Sequence, residues 1–342
     1  MNLLIRADAD TRRGTGHVMR CLALAQACQA TGGRAAFLSH CEGEALRRRI
    51  EAAGVVFLPL DEIHPAHGDL HRTLALLKEL RSSWLVLDGY HFDPSYQLAV
   101  RASGSRLLII DDYAHQPEYH ADILLNQNID ASRLKYVCGT DTRLLLGTRF
   151  ALLRPEFFAW RGWRRDVPAV ARKVLVTLGG GDPDNVTLKV IRALQYVEVT
   201  GLEANIVVGP NNPHLETLRK AVEQTDGYLR LMTGVADMPA VMAWADIALA
   251  AGGSTCWELA FMGLPSIVTV LAENQAASTQ RLHEGGAALS LGRAPDCRPD
   301  DLARTLDGLI RDPQRRRLMS ESGRALVDGR GAERVAAIIR GG

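Results

Sequence analysis

At 342 residues, with 47% hydrophobic and 23% charged side chains, the chain has ample apolar content for packed cores, which excludes a disordered polymer. Its 40 Lys and Arg against 39 Asp and Glu leave a net charge of +1, which argues against a large polyanion such as nucleic acid as its partner. At roughly 100–200 residues per domain, the length predicts two domains.

Taken in order, the first half alternates short apolar runs with amphipathic stretches. Strands are expected at 2–7, 34–39, 55–60, 84–88, 106–111 and 123–125, with helices at 17–30, 44–53, 69–82 and 94–103. This order predicts a parallel sheet with helices on both faces, whose ligands bind at the carboxyl ends of the strands. Gly14 to Arg20, Asp88-Gly89-Tyr90 and Asp111-Asp112 all fall at such ends. From 151 to 172 the rhythm breaks into a segment with two prolines, two tryptophans and several arginines, read as the connection between domains. The alternation then resumes. Strands are expected at 173–178, 205–208, 228–232, 247–250 and 266–271, and helices at 183–194, 213–225, 238–245, 254–262 and 275–284. A wholly helical tail is expected over 299–340. The fold class expected is α/β, two doubly wound Rossmann-like domains with a cleft between them. Residues 1–150 form the first, 151–172 the linker and 173–342 the second, whose final helix packs back on the first.

No apolar run approaches the roughly 20 residues of a membrane span, and the N-terminus lacks a signal-peptide pattern. Six cysteines form no C-x-x-C pair, as in a reducing compartment, so a soluble cytoplasmic protein without membrane insertion is expected. The sequence leaves the oligomeric state open.

Gly14-Thr15-Gly16-His17-Val18-Met19-Arg20 joins the first strand to a helix. Glycines there free the backbone, and a histidine sits in the first helical turn, where the helix dipole favours the neutral imidazole that a general base needs. Arg20, on the same face at i+3, can serve an anion or a nearby carboxylate. Gly179-Gly180-Gly181-Asp182 precedes a helix expected to begin at Pro183 with Asp182 as its cap, and three glycines suit a phosphate-facing turn. Gly252-Gly253-Ser254-Thr255 has the same form, with Ser254 or Thr255 capping the helix or donating to an anion. Glu258, one turn in, either holds the two hydroxyls of a ribose or completes a capping box with Thr255. Two glycine-rich turns in one domain point to a nucleoside diphosphate. The D-x-D pairs at Asp8 and Asp182 are at chance level, and no cysteine or carboxylate completes a zinc set with His64, His67 and His71, so no metal and no cofactor are expected. There is no nucleophile elbow, no P-loop and no full dinucleotide fingerprint.

These stretches together resemble a known family, the UDP-sugar hydrolases of pseudaminic acid biosynthesis and the related SpsG proteins. The resemblance rests on Arg6-Ala7-Asp8-Ala9, Gly14 to Ala25, Asp88-Gly89-Tyr90, Ile110-Asp111-Asp112, Leu124 to Asn128, Ala151 to Phe157, Leu175 to Gly180, Asp246 to Glu258 and Glu273-Asn274-Gln275, spanning about residues 1–290. It implies the GT-B architecture of inverting glycosyltransferases such as the lipid II synthase MurG, and no metal. It implies hydrolysis of UDP-2,4-diacetamido-2,4,6-trideoxy-β-L-altropyranose at the anomeric C–O bond, a step toward a cell-surface glycan such as that of flagellin. His17 then matches the catalytic base and Tyr90 an active-site tyrosine. Asp8, Gly14, Gly16, Arg20, Asp88 and Asn126 face the sugar, and Gly179, Gly180, Gly181, Gly253, Ser254, Thr255, Glu258 and Asn274 hold UDP. Gly181 departs from the pattern, since serine or threonine is common there. Two other readings share these motifs: an inverting GT-B glycosyltransferase using a UDP-amino sugar, and a non-catalytic module that binds a nucleotide sugar.

Overall fold

The computed structural model describes residues 2–10, 13–180, 182–209 and 212–341. The chain forms two compact units, one of residues 1–155 with 329–342 and the other of residues 156–328.

In the first unit the elements run β1 (Asn2–Ala7), α1 (Gly16–Gln29), β2 (Arg34–Ser39), α2 (Glu44–Ala52), β3 (Val56–Pro59), α3 (His67–Glu79), β4 (Trp84–Asp88), α4 (Pro94–Ala102), β5 (Arg106–Ile110), β6 (Ile123–Asn126) and β7 (Arg143–Leu146). All seven strands are parallel, in the order β3-β2-β1-β4-β5-β6-β7. The order reverses between β1 and β4, the switch point at which such sheets open to ligands. Side chains alternate across the pleat. Leu3, Ile5, Trp84, Val86, Leu108 and Ile110 enter a core layer with α1, whereas Leu4, Leu85, Leu87, Leu107 and Ile109 enter the opposite layer with Leu76 and Leu77 of α3 and Tyr96 and Val100 of α4.

The second unit runs β8 (Lys173–Thr177), α5 (Val186–Leu194), β9 (Glu203–Val208), α6 (Leu215–Glu223), β10 (Leu229–Thr233), α7 (Met238–Trp244), β11 (Ile247–Ala251), α8 (Thr255–Phe261), β12 (Ser266–Val270), α9 (Ala276–Glu284), β13 (Ala288–Arg293), α10 (Pro299–Arg311) and α11 (Pro313–Leu326). Its parallel order is β10-β9-β8-β11-β12-β13, with the reversal at β8 and β11. Both glycine-rich turns follow the two strands at that reversal.

Several expectations are revised. β7 and β13 are edge strands without an expected counterpart; β7 is four residues long, and β13 runs out into exposed Gly292 and Arg293. The helical tail is broken, because Asp312 caps α11 through Arg315 N at 2.8 Å with Pro313 in its first turn, and a final helix, α12 (Gly331–Gly341), follows separately. α12 belongs to the first unit, where Ala332, Val335, Ala336 and Ile339 join the layer containing α1. Residues 156–172, read as a connection, are packed into the second unit. There Arg165 donates to the carbonyl oxygens of Met242 at 2.7 Å and of Gly263 at 3.1 Å, at the ends of α7 and α8. Burial lowers the Arg165 guanidinium to about 10. Arg316, fully buried, donates to Pro168 O at 2.8 Å and Leu309 O at 2.9 Å.

Candidate active site

His17 is the second residue of α1, and β1 runs into that helix through Gly14, whose φ of +70° favours a glycine. Asp88 closes β4, paired in register with Ala7 of β1. It shares the parity of Trp84 and Val86 and so faces α1. His17 Nδ1 lies 2.6 Å from Asp88 Oδ1. Burial alone would raise the Asp88 carboxyl, but the Arg20 guanidinium and then His17 outweigh it and hold it well below the usual carboxylate range. The short contact therefore carries its proton on Nδ1, donating to the carboxylate. In the neutral ring this leaves the lone pair on Nε2, the arrangement of a general base. The His17 side chain is 15% exposed and Asp88 fully buried.

Arg20 lies one turn further along α1 and is 6% exposed. Its Nε and Nη2 grip Asp88 at 2.6 and 2.7 Å, and its Nη1 and Nη2 grip Asp112 at 2.8 and 2.9 Å. Asp112 follows β5 with the parity of Leu108 and Ile110, which brings it to the same side as Asp88. Tyr90 Oη donates to Asp112 Oδ2 at 2.6 Å, and the Tyr90 ring meets His17 edge to face with centroids 5.2 Å apart. Burial and then the Asp112 charge push the Tyr90 phenol far above its ordinary value, so its proton stays in that bond. Asn128 Nδ2 donates to Asp112 Oδ1 at 2.9 Å.

Of the residues expected to be catalytic or to face a sugar, His17, Tyr90, Arg20 and Asp88 converge here, with Gly14 in the turn beside them and Gly16 at the start of α1. Arg20 and Asp88 are bonded to each other, Asp88 also to His17 and Arg20 also to Asp112. Asp8 and Asn126 are elsewhere. Asp8 has the parity of Leu4 and Arg6, on the opposite face. Its carboxylate, with no exposed side-chain surface, takes Arg6 Nη1 and Nη2 at 2.6 and 3.0 Å and His40 N at 2.8 Å. Asn126, fully buried, donates to Tyr136 Oη at 2.7 Å and accepts from Asn128 N at 2.8 Å. Asp112 and Asn128 were not among the expected site residues. The Asp111-Asp112 pair at a strand end was the signal, and strand parity distinguishes the two. Asp111 turns the other way and accepts from Tyr119 Oη at 2.8 Å.

In the second unit the two glycine turns differ. After β8, α5 begins at Val186 and not at Pro183. Asp182, 3% exposed, reaches under its first turn and accepts Val186 N and Thr187 N at 2.8 Å each, with Thr187 Oγ1 at 2.6 Å. Those helix-terminal donors are therefore closed to an outside anion. The backbone of Gly180 is packed closely against Gly209, where a Cβ would stand 2.1 Å from the Gly180 carbonyl oxygen. Gly181 lies outside the described residues. After β11, Ser254 is the N-cap of α8, and its side chain makes no capping bond. A Cβ on Gly252 would meet Thr279 Oγ1 at 2.2 Å, whereas one on Gly253 would meet only Gln275 Nε2 at 3.8 Å. Gly253 is thus not demanded by packing. Thr255, Glu258 and Asn274 are half-buried around this turn, Asn274 in the short helical turn Glu273–Gln275. No helix among the described residues is long and apolar enough to cross a membrane.

Residues 177–333 match the Glycosyltransferase family 28 C-terminal domain. Over its whole length the chain is similar to the spore coat polysaccharide biosynthesis protein SpsG of Bacillus subtilis, 27% identical across 99% of this chain and 98% of that one. It is also similar to the UDP-2,4-diacetamido-2,4,6-trideoxy-β-L-altropyranose hydrolase of Campylobacter jejuni, 24% identical over 64% of this chain and 74% of that protein. Among solved structures, MurG of Acinetobacter baumannii superposes with a TM-score of 0.66 at 16% identity, covering 100% of this chain and 99% of that one. That likeness shows the fold, which is GT-B-like: two Rossmann-like α/β halves.

Proposed function

We propose that the chain is a UDP-sugar hydrolase, in which water displaces UDP from the anomeric carbon of a 2,4-diacetamido-2,4,6-trideoxyhexose with inversion. The observation that carries this reading is the His17–Asp88 pair at 2.6 Å, which presents Nε2 as a base beside the switch point of the first sheet. The substrate class is supported by the likeness to the Campylobacter jejuni hydrolase. His17 Nε2 takes one proton from the water as its oxygen bonds to the anomeric carbon on the face opposite UDP. The bond between that carbon and the β-phosphate oxygen breaks, and its electron pair leaves with UDP through an oxocarbenium-like transition state. We assign UDP to Gly179, Gly180, Gly181, Gly253, Ser254, Thr255, Glu258 and Asn274. Because Asp182 occupies the start of α5, the turn after β11 and its unspent Ser254 hydroxyl carry the greater part of the diphosphate contact.

Incubation with the UDP-diacetamido sugar, without an acceptor, should release UDP, and NMR of the fresh product should show the inverted anomer. His17→Leu should lower turnover by roughly 10²–10⁴ while calorimetric UDP affinity stays unchanged. Near-full activity in that variant rejects His17 as the base. The match to a glycosyltransferase C-terminal domain favours a second reading, transfer of the sugar to an acceptor hydroxyl. UDP release that begins only when an acceptor is added supports transfer. A UDP-sugar bound tightly and returned intact with any acceptor supports a binding module.

A further inference from the structure

We propose that Arg20 and Asp112 form a positioning and charge-balancing shell that ties His17 and Tyr90 to a single atom, Arg20 Nη2, and completes the counter-charge for a protonated His17. This rests on the reading of His17 as a base. Nη2 donates to Asp88 Oδ1 at 2.7 Å and to Asp112 Oδ2 at 2.9 Å. These are the two oxygens that hold His17 Nδ1 and Tyr90 Oη, each at 2.6 Å. The imidazole and the phenol therefore take their positions from one nitrogen. The remaining carboxylate oxygens are also held, Asp88 Oδ2 by Arg20 Nε at 2.6 Å and the Cys21 thiol at 3.4 Å, and Asp112 Oδ1 by Asn128 at 2.9 Å. A lysine, with one compact ammonium, cannot serve four oxygens in a plane.

The charges give Asp112 its purpose. Orienting His17 requires only Asp88, and Arg20 alone would neutralise it. With Asp112 added, the buried set of Arg20, Asp88 and Asp112 carries one uncompensated negative charge while His17 is neutral. It reaches zero when His17 takes a proton. An unbalanced buried charge is costly. The cluster is thus built for the imidazolium that forms as water is deprotonated. Tyr90, whose proton is committed to Asp112, is a positioning residue in this scheme and not the acid.

The test uses the full-length chain with two variants, Asp112→Asn and Arg20→Lys. Asp112→Asn should lower kcat for UDP release roughly tenfold to a hundredfold with KM within about twofold, and shift the acid limb of the rate profile to lower pH. The His17 imidazole titration followed by NMR should move to lower pH, the direction expected when a nearby opposite charge is removed. Arg20→Lys conserves the charge, so its NMR midpoint should stay near wild type while kcat falls. A folded Asp112→Asn with an unmoved His17 midpoint overturns the charge role, and Arg20→Lys with wild-type kcat overturns the positioning role. If the wild type turns over no UDP-sugar, the functional reading fails, while the NMR titration still decides for or against the shell.

Discussion

Asp8 and Asp88 stand at the ends of neighbouring strands, both buried and both held by an arginine, yet only Asp88 reaches His17. Parity separates them, because Asp88 faces α1 while Asp8 faces α3 and joins Arg6, Asp69 and Tyr96. In that second cluster, burial would raise the Asp8 and Asp69 carboxyls, but His91, whose Nε2 lies 3.0 Å from Asp8 Oδ2, and Arg6 hold Asp8 below the usual range, and Arg6 holds Asp69 below it. A carboxyl lowered in the native state contributes stability that is complete above its unfolded value and is lost as pH falls through the native one. The urea midpoint should therefore be flat above about pH 5 and drop as the pH falls below about 4, the ordinary range of aspartate. In Asp69→Asn this acid-side drop should shrink. An undiminished drop in that variant would remove the cluster from the explanation.

Helix α5 shows how one side chain changes what an element can do. The Asp182-Pro183 pair has the composition of a cap followed by a first-turn proline, but the chain makes a further turn, with Asn185 at a φ of +51°, before the helix starts. Asp182 is then placed to take two backbone donors at once. Its replacement by Ala should cost about 0.5–2 kcal/mol, read as a lowered denaturation midpoint. By the assignment above, UDP affinity should hardly change. A large loss of UDP affinity without loss of stability would return the diphosphate to this turn. Of the residues before it, Gly179 adopts a φ of +91°, and the backbone of Gly180 packs so close to Gly209 that a Cβ on Gly209 would stand 2.1 Å from the Gly180 carbonyl oxygen.

At the scale of the molecule, the chain leaves its first unit at 155 and returns to it at 329. The return is tight, since a Cβ on Gly331 would stand 2.2 Å from Ala151 O, and Arg334 donates to Arg149 O at 2.8 Å. Ile339, 2% exposed, buries its side chain in the layer that contains α1. Ile339→Ala should cost about 2–5 kcal/mol in the first unit, seen as a lowered transition in thermal unfolding. An unchanged transition would mean that the first unit is complete without its terminal helix. What the sequence determined by itself was local: the apolar alternation that makes the sheets parallel, the glycine turns at strand ends, and the histidine at a helix start. Period and backbone freedom are properties of a few adjacent residues, so they are legible without the fold. The partners of Arg20 lie 68 and 92 residues away. Only the tertiary structure decided that Asp88 and Asp112 would both be chosen while Asp8 and Asp111 turned aside. That choice depends on strand parity and on which strands meet at the reversal of the sheet, and no local preference encodes it.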